Sequence, residues 1–237
     1  MSAGRVLLAV LLWVVVLFLT GAIVSSGLVQ RAAERYQWVS PGVVTQVSML
    51  ALSLVLMLIL GKGRLAKYGF RTPTRSQVKS ALAFGSIAAV AVHIVLAVTW
   101  NLLPTPGSHP VMEGASFLQT VISVWIIAST CEEVFLRGLI QGFLEPHREA
   151  GATLFGLRLS LPVITAAVLF GTMHIMLFTV GAETALVTAT VAAAIILGLV
   201  AGYYRERTGS LVPAILIHML FNMYGSLSQF IQELAAG

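Results

Sequence analysis

The 237-residue chain is 58% apolar and only 10% charged, and its mean hydropathy of +0.94 lies far above that of a water-soluble domain. Its 14 Lys/Arg against nine Glu and no Asp give a formal net charge of +5, but the cations fall mostly in short connections between apolar runs, a pattern that orients a membrane protein and forms no face for nucleic acid. One cysteine, Cys131, excludes an intrachain disulfide and a multi-cysteine zinc site.

A helix crosses a bilayer with about 20 mostly apolar residues, and this rule predicts seven spans at 6–28, 43–60, 80–101, 117–144, 158–180, 184–204 and 211–230. The expected fold is therefore an all-α polytopic bundle forming one transmembrane domain over 1–237. Pro41, Pro73, Pro104, Pro106, Pro110 and Pro146 fall between spans, while Pro162 and Pro213 fall in first turns, where a missing N–H costs little. The first apolar run continues through Val24, longer than the ~7–15 residues of a signal-peptide core, so a retained helix is expected.

Lys62, Arg64, Lys67, Arg71, Arg75 and Lys79 lie between spans two and three. Arg148 and Arg158, then Arg205 and Arg207, occupy later connections on the same side. The opposite side has Arg31 and Arg35 around Glu34, and a 101–116 loop with no Lys or Arg. The positive-inside rule then puts the N-terminus in the cytoplasm and the C-terminus outside. Trp38 and Trp100 fall where interfacial anchors are expected.

Within the fourth span, Cys131-Glu132-Glu133-Val134-Phe135-Leu136-Arg137 places three ionisable groups within about two turns, each costing ~2.5–3.5 kcal/mol at a bilayer centre. Glu133 and Arg137 are i, i+4 and can pair, whereas Glu132 points about 100° away and is free to face a cavity. The fifth span carries His174 one turn after Phe170, and the seventh carries His218 and Asn222 on one face. At 1.5 Å per residue, Glu132, His174 and His218 reach a common zone between the bilayer centre and its cytoplasmic side. His93 has no polar companion in its span and reads as a core residue, and the loop residues His109 and His147 carry no assigned role.

A carboxylate, two imidazoles and an amide are the parts needed to hydrolyse an amide bond. Glu132 can act as general base on water with His174 as its partner. His218 and Asn222 can donate hydrogen bonds to the developing oxyanion. Glu132, His174 and His218 are equally a ligand set for hydrolytic zinc, so a cofactor of either none or Zn stands open; the lack of an H-E-x-x-H motif favours the metal-free form.

The motifs E-E-x-x-x-R at Glu132, Glu133 and Arg137, F-x-x-x-H at Phe170 and His174, and H-x-x-x-N at His218 and Asn222 resemble the three signatures of the CPBP family of intramembrane proteases, the CAAX proteases and bacteriocin-processing enzymes also called Abi proteins. The resemblance covers residues 132–222, within a catalytic core at 117–230. It implies a membrane endopeptidase in which Glu132 activates water with His174, His218 and Asn222 form the oxyanion site, and Glu133, Arg137 and Phe170 support it. The family has been described as both metallo- and glutamate-type, so the metal question stays open. The loop-poor chain suggests a bacterial cytoplasmic membrane and, as partner, a membrane-associated peptide or protein such as a leader, an anchored signalling factor or a sorting helix. The alternative is a non-catalytic scaffold or peptide-immunity protein; a proton-relay transporter is disfavoured by the absence of a repeat of broken helices.

Overall fold

The computed structural model describes residues 2–36, 40–102, 115–154 and 156–236. Trp38, Pro104, Pro106, His109, Pro110 and the greater part of the 101–116 loop lie outside the described residues, as does the side chain of Trp100. In chain order come α1 (Ser2–Val24), α2 (Gly27–Arg35), α3 (Pro41–Leu60), α4 (Arg75–Leu102) and α5 (Phe117–His147). A hairpin of β1 (Gly151–Leu154) and β2 (Leu157–Ser160) precedes α6 (Leu161–Met173), α7 (Thr184–Thr208) and α8 (Leu211–Ala236).

The molecule is an all-α polytopic bundle, and six of its helices are long and apolar enough to cross a membrane, α6 counting together with the turns that follow it. The apolar stretch of α8, Leu211–Leu227, is shorter than these. The polarity of the fold is inverted relative to a soluble protein: Phe18 and Leu7 are 73% and 70% exposed, while Arg137, Glu133 and Gln141 are fully buried. Such an exterior is stable in lipid, where apolar side chains gain nothing by hiding from their surroundings.

Local chemistry fixes the helix ends. Ser40 accepts a hydrogen bond from Val43 N, and Pro41, expected between spans, is the first residue of α3, where its missing N–H would have had no intrahelical partner. Ser116 and Gln119 form a reciprocal capping box that starts α5. The span expected at 158–180 begins instead at Leu161, because Leu157–Ser160 pair antiparallel with Gly151–Leu154 around a turn containing Gly156 at φ +77°. Ser160 then caps α6, whose last turns, His174–Val180, tighten into 3-10 geometry before Gly181 at φ +84° ends them. The amphipathic α2, unannounced by the span rule, carries Arg31 and Arg35.

α5 runs through the middle, packed by α3, α6, α7 and α8, and every residue of its Val134–Ile140 stretch is buried. α6 and α7 meet along small residues: a Cβ on Gly198 would lie 2.8 Å from Ala167 Cα and 3.2 Å from Arg137 Nη2, and one on Gly171 would lie 3.0 Å from Val191 O. Gly198 and Gly202 form the small-xxx-small spacing by which membrane helices bring their backbones together. Gly198→Ala is expected to cost about 1–3 kcal/mol through overpacking. Gly21→Ala, on a helix face with nothing within 4 Å of the added methyl, should be neutral. Thermal unfolding of the two variants in detergent reads the difference.

Candidate active site

α5 is not a uniform α-helix. Its Ser129–Glu133 segment is α-helical, and the flanking Val121–Ala128 and Val134–Ile140 stretches are π-helical, a geometry found mostly at functional sites. The Ser129 N–H reaches back to Val124 O, and that carbonyl also accepts from Ser129 Oγ at 3.3 Å and from Asn222 Nδ2 at 3.2 Å. Asn222 Nδ2 donates in addition to Ser129 Oγ at 2.9 Å, so both amide hydrogens of this α8 residue are directed at the α5 backbone and its serine. One turn on, Trp125 Nε1 donates to Ser226 Oγ at 2.7 Å, which extends the α5–α8 seam.

The next turn of that seam is ionic. Arg137 Nη1 lies 2.9 Å from Glu133 Oε1, with both side chains fully buried. The same Glu133 oxygen receives His218 Nδ1 at 2.9 Å. The guanidinium also stands over the Phe170 ring, 4.6 Å from its centroid, a cation–π contact that a dry setting strengthens. Removing one member of such a buried pair leaves an uncompensated charge at a cost of about 3–5 kcal/mol, so the network holds its geometry firmly. Because a carboxylate only accepts, His218 Nδ1 carries a proton and Nε2 faces the other way.

Glu132, on the neighbouring face, is the accessible carboxylate of the two, with a side chain 12% exposed against 0% for Glu133. Its Oε2 lies 3.7 Å from His218 Nε2, and its Oε1 accepts from Gln46 Nε2 of α3 at 2.8 Å. Gln46 was not among the residues that the sequence pointed to. Its signal was a lone carboxamide in a mostly apolar helix.

His174 is held through its own helix. Its Nδ1 lies 2.9 Å from Phe170 O, a partner that accepts only, so Nδ1 bears the hydrogen and Nε2 presents a lone pair. Phe170 joins the parts: its ring meets His174 edge-on at 5.0 Å and His218 at 5.4 Å. Glu132, Glu133, Arg137, Phe170, His174 and His218 thus form one connected cluster drawn from α5, α6 and α8, while Asn222, one turn after His218, bonds Val124 and Ser129 of α5. His93 stands apart, bonded through Nδ1 to Ala89 O and packed on Phe221, and His147 lies in the short turn that ends α5.

Among the described residues no group of three His, Cys, Asp or Glu side chains is disposed to hold a metal ion. The commitment of His218 Nδ1 to Glu133 and of His174 Nδ1 to a carbonyl leaves each imidazole one free nitrogen.

Residues 114–224 match the family model of type II CAAX prenyl endopeptidase Rce1-like proteins. No curated protein and no solved structure matches the chain. The matched stretch contains all three motifs and runs from just before α5 into α8. Over this stretch, a little under half of the chain, the protein is similar to the Rce1-like CAAX endopeptidases, and its six membrane-length helices suit a multi-pass membrane protein.

Proposed function

We propose that the protein is an intramembrane endopeptidase that hydrolyses a peptide bond in a membrane-associated peptide or protein, with water activated by Glu132 and no metal ion required. The observation that carries this reading is the division between the adjacent glutamates: Glu133 is sealed in an ion pair, while Glu132 stays partly exposed and turns Oε2 toward His218 Nε2. Two acceptor atoms facing each other at 3.7 Å suit a water molecule that donates to both.

In the proposed reaction the water oxygen forms a bond to the carbonyl carbon as one proton passes to Glu132, and its second hydrogen turns from His218 Nε2 to the lone pair of His174 Nε2. The proton is shared with His218, whose Nε2–H then faces the carbonyl oxygen. Asn222 adds a second donor by giving up the longer of its two bonds, the one to Val124 O at 3.2 Å. Collapse of the tetrahedral species breaks the C–N bond, and the proton from Glu132 leaves with the amine. Glu133, paired with Arg137, keeps His218 Nδ1 as a donor, so Nε2 is the nitrogen that takes up the proton and returns it to Glu132. The cation-rich connections between α3 and α4, after α5 and after α7 face the cytoplasm in this proposal, and the substrate is reached in a bacterial cytoplasmic membrane.

Purified protein in liposomes should cleave fluorogenic peptides that carry an apolar membrane segment. Glu132→Gln should lower kcat by about 10²–10⁴-fold with an unchanged unfolding midpoint, and full turnover in that variant would overturn the assignment. Chelators should leave turnover intact, and elemental analysis should find no stoichiometric zinc. Zinc lost in step with activity would make Glu132, His174 and His218 metal ligands.

A further inference from the structure

Gln46 lies in the second turn of α3, 86 residues before Glu132 in the chain, and its Nε2 donates to Glu132 Oε1 at 2.8 Å. The orientation of the amide follows from its partner, since an ionised carboxylate offers no hydrogen and the amide nitrogen must face it. The other end of the amide, Oε1, is buried and has no hydrogen-bond partner among the described residues. A buried amide oxygen without a partner costs about 1–3 kcal/mol, and no second hydrogen bond of this side chain offsets it. The single bond to Glu132 is therefore what this polar group accomplishes in a helix that is otherwise suited to lipid.

The torsion that turns a glutamate carboxylate about its last bond is broad and nearly two-fold, so packing alone does not decide where its two oxygens point. Tying Oε1 to α3 leaves Oε2 as the oxygen that faces His218 Nε2. We propose that Gln46 is a positioning residue of the active site: it acts through Glu132, fixing one carboxylate oxygen so that the other is presented to the attacking water. The inference rests on the peptidase reading above, and it assigns a role to α3, which lies outside the stretch matched by the family model.

The test compares wild type, Glu132→Gln, Gln46→Met and Gln46→Glu in liposomes on one fluorogenic membrane peptide across a range of pH, with unfolding midpoints taken for each. Gln46→Met keeps the length of the side chain and loses its donor. It should lower kcat by about 10- to 100-fold, the scale of a small misplacement of a reacting group. KM should stay within about twofold, because substrate contacts are untouched. Gln46→Glu puts a second carboxyl beside Glu132 and can donate only when it holds the proton of the pair, so its activity should recover as the pH falls and its optimum should move to the acid side. That recovery is a readout which loss of packing would not give. A Gln46→Met protein with wild-type kcat, or a Gln46→Glu profile merely scaled down at every pH, would overturn the inference. Failure of the peptidase reading looks different, since the wild type would then cleave nothing or Glu132→Gln would keep full turnover, whereas failure of this inference alone leaves an active wild type and an impaired Glu132→Gln beside an unimpaired Gln46→Met.

Discussion

One oxygen atom organises the centre of this bundle. Glu133 Oε1 takes Arg137 Nη1 and His218 Nδ1, each at 2.9 Å, in a place where none of the three side chains has appreciable contact with solvent. In lipid, a lone carboxylate or guanidinium at that depth is costly, and the pair survives only because the charges meet. The consequence is positional. α5 and α8 are locked in one register by His218, and α6 joins them because Phe170 lies under the guanidinium and against both imidazoles. A polar cluster spread over three helices in a bilayer needs such a fixed point, since lipid supplies no hydrophobic force to press helices together.

The backbone makes room for it. The π-helical stretches on either side of Ser129–Glu133 shift the hydrogen-bond ladder so that Val124 O lies open to Ser129 and Asn222, which turns a helix carbonyl into an attachment point for α8. On the far side, the absent side chain of Gly198 admits both the Ala167 backbone and the Arg137 head. Either feature alone would strain a regular bundle. Together they let a buried arginine and a close helix pair occupy the same level of the structure.

The sequence made some of this legible and left the rest dark for identifiable reasons. Six of the seven expected spans are present as helices long enough to cross a membrane, and so is the Glu133–Arg137 pair, because a run length and an i, i+4 spacing are rules local to one segment; the apolar stretch of the seventh, in α8, is shorter. The freedom of Glu132 followed from helix geometry, and its side chain is indeed the more accessible of the two. What was dark lies between segments. Helices as uniformly apolar as α3 and α6 show no preferred face from which neighbours could be deduced. The bond from Gln46 to Glu132 and the grip of His218 on Glu133 join residues 86 and 85 positions apart, and no periodicity within a helix announces them. The β-hairpin and α2 fell to a search tuned to long apolar runs, because neither is one.

Adjacency of the two glutamates carries a further consequence. Neighbouring residues on a helix are set about 100° apart by the backbone itself, so any rotation of α5 that keeps Glu133 against Arg137 and His218 also keeps Glu132 turned toward Gln46 and the Nε2 side of His218. The burial of one carboxylate thus determines the aim of the other. Adjacency cannot set the twist of the Glu132 carboxylate about its own axis, and among the described residues none of α5 hydrogen-bonds it. That last degree of freedom is held from α3, through Gln46, so a helix outside the signature motifs completes the geometry that the motifs begin.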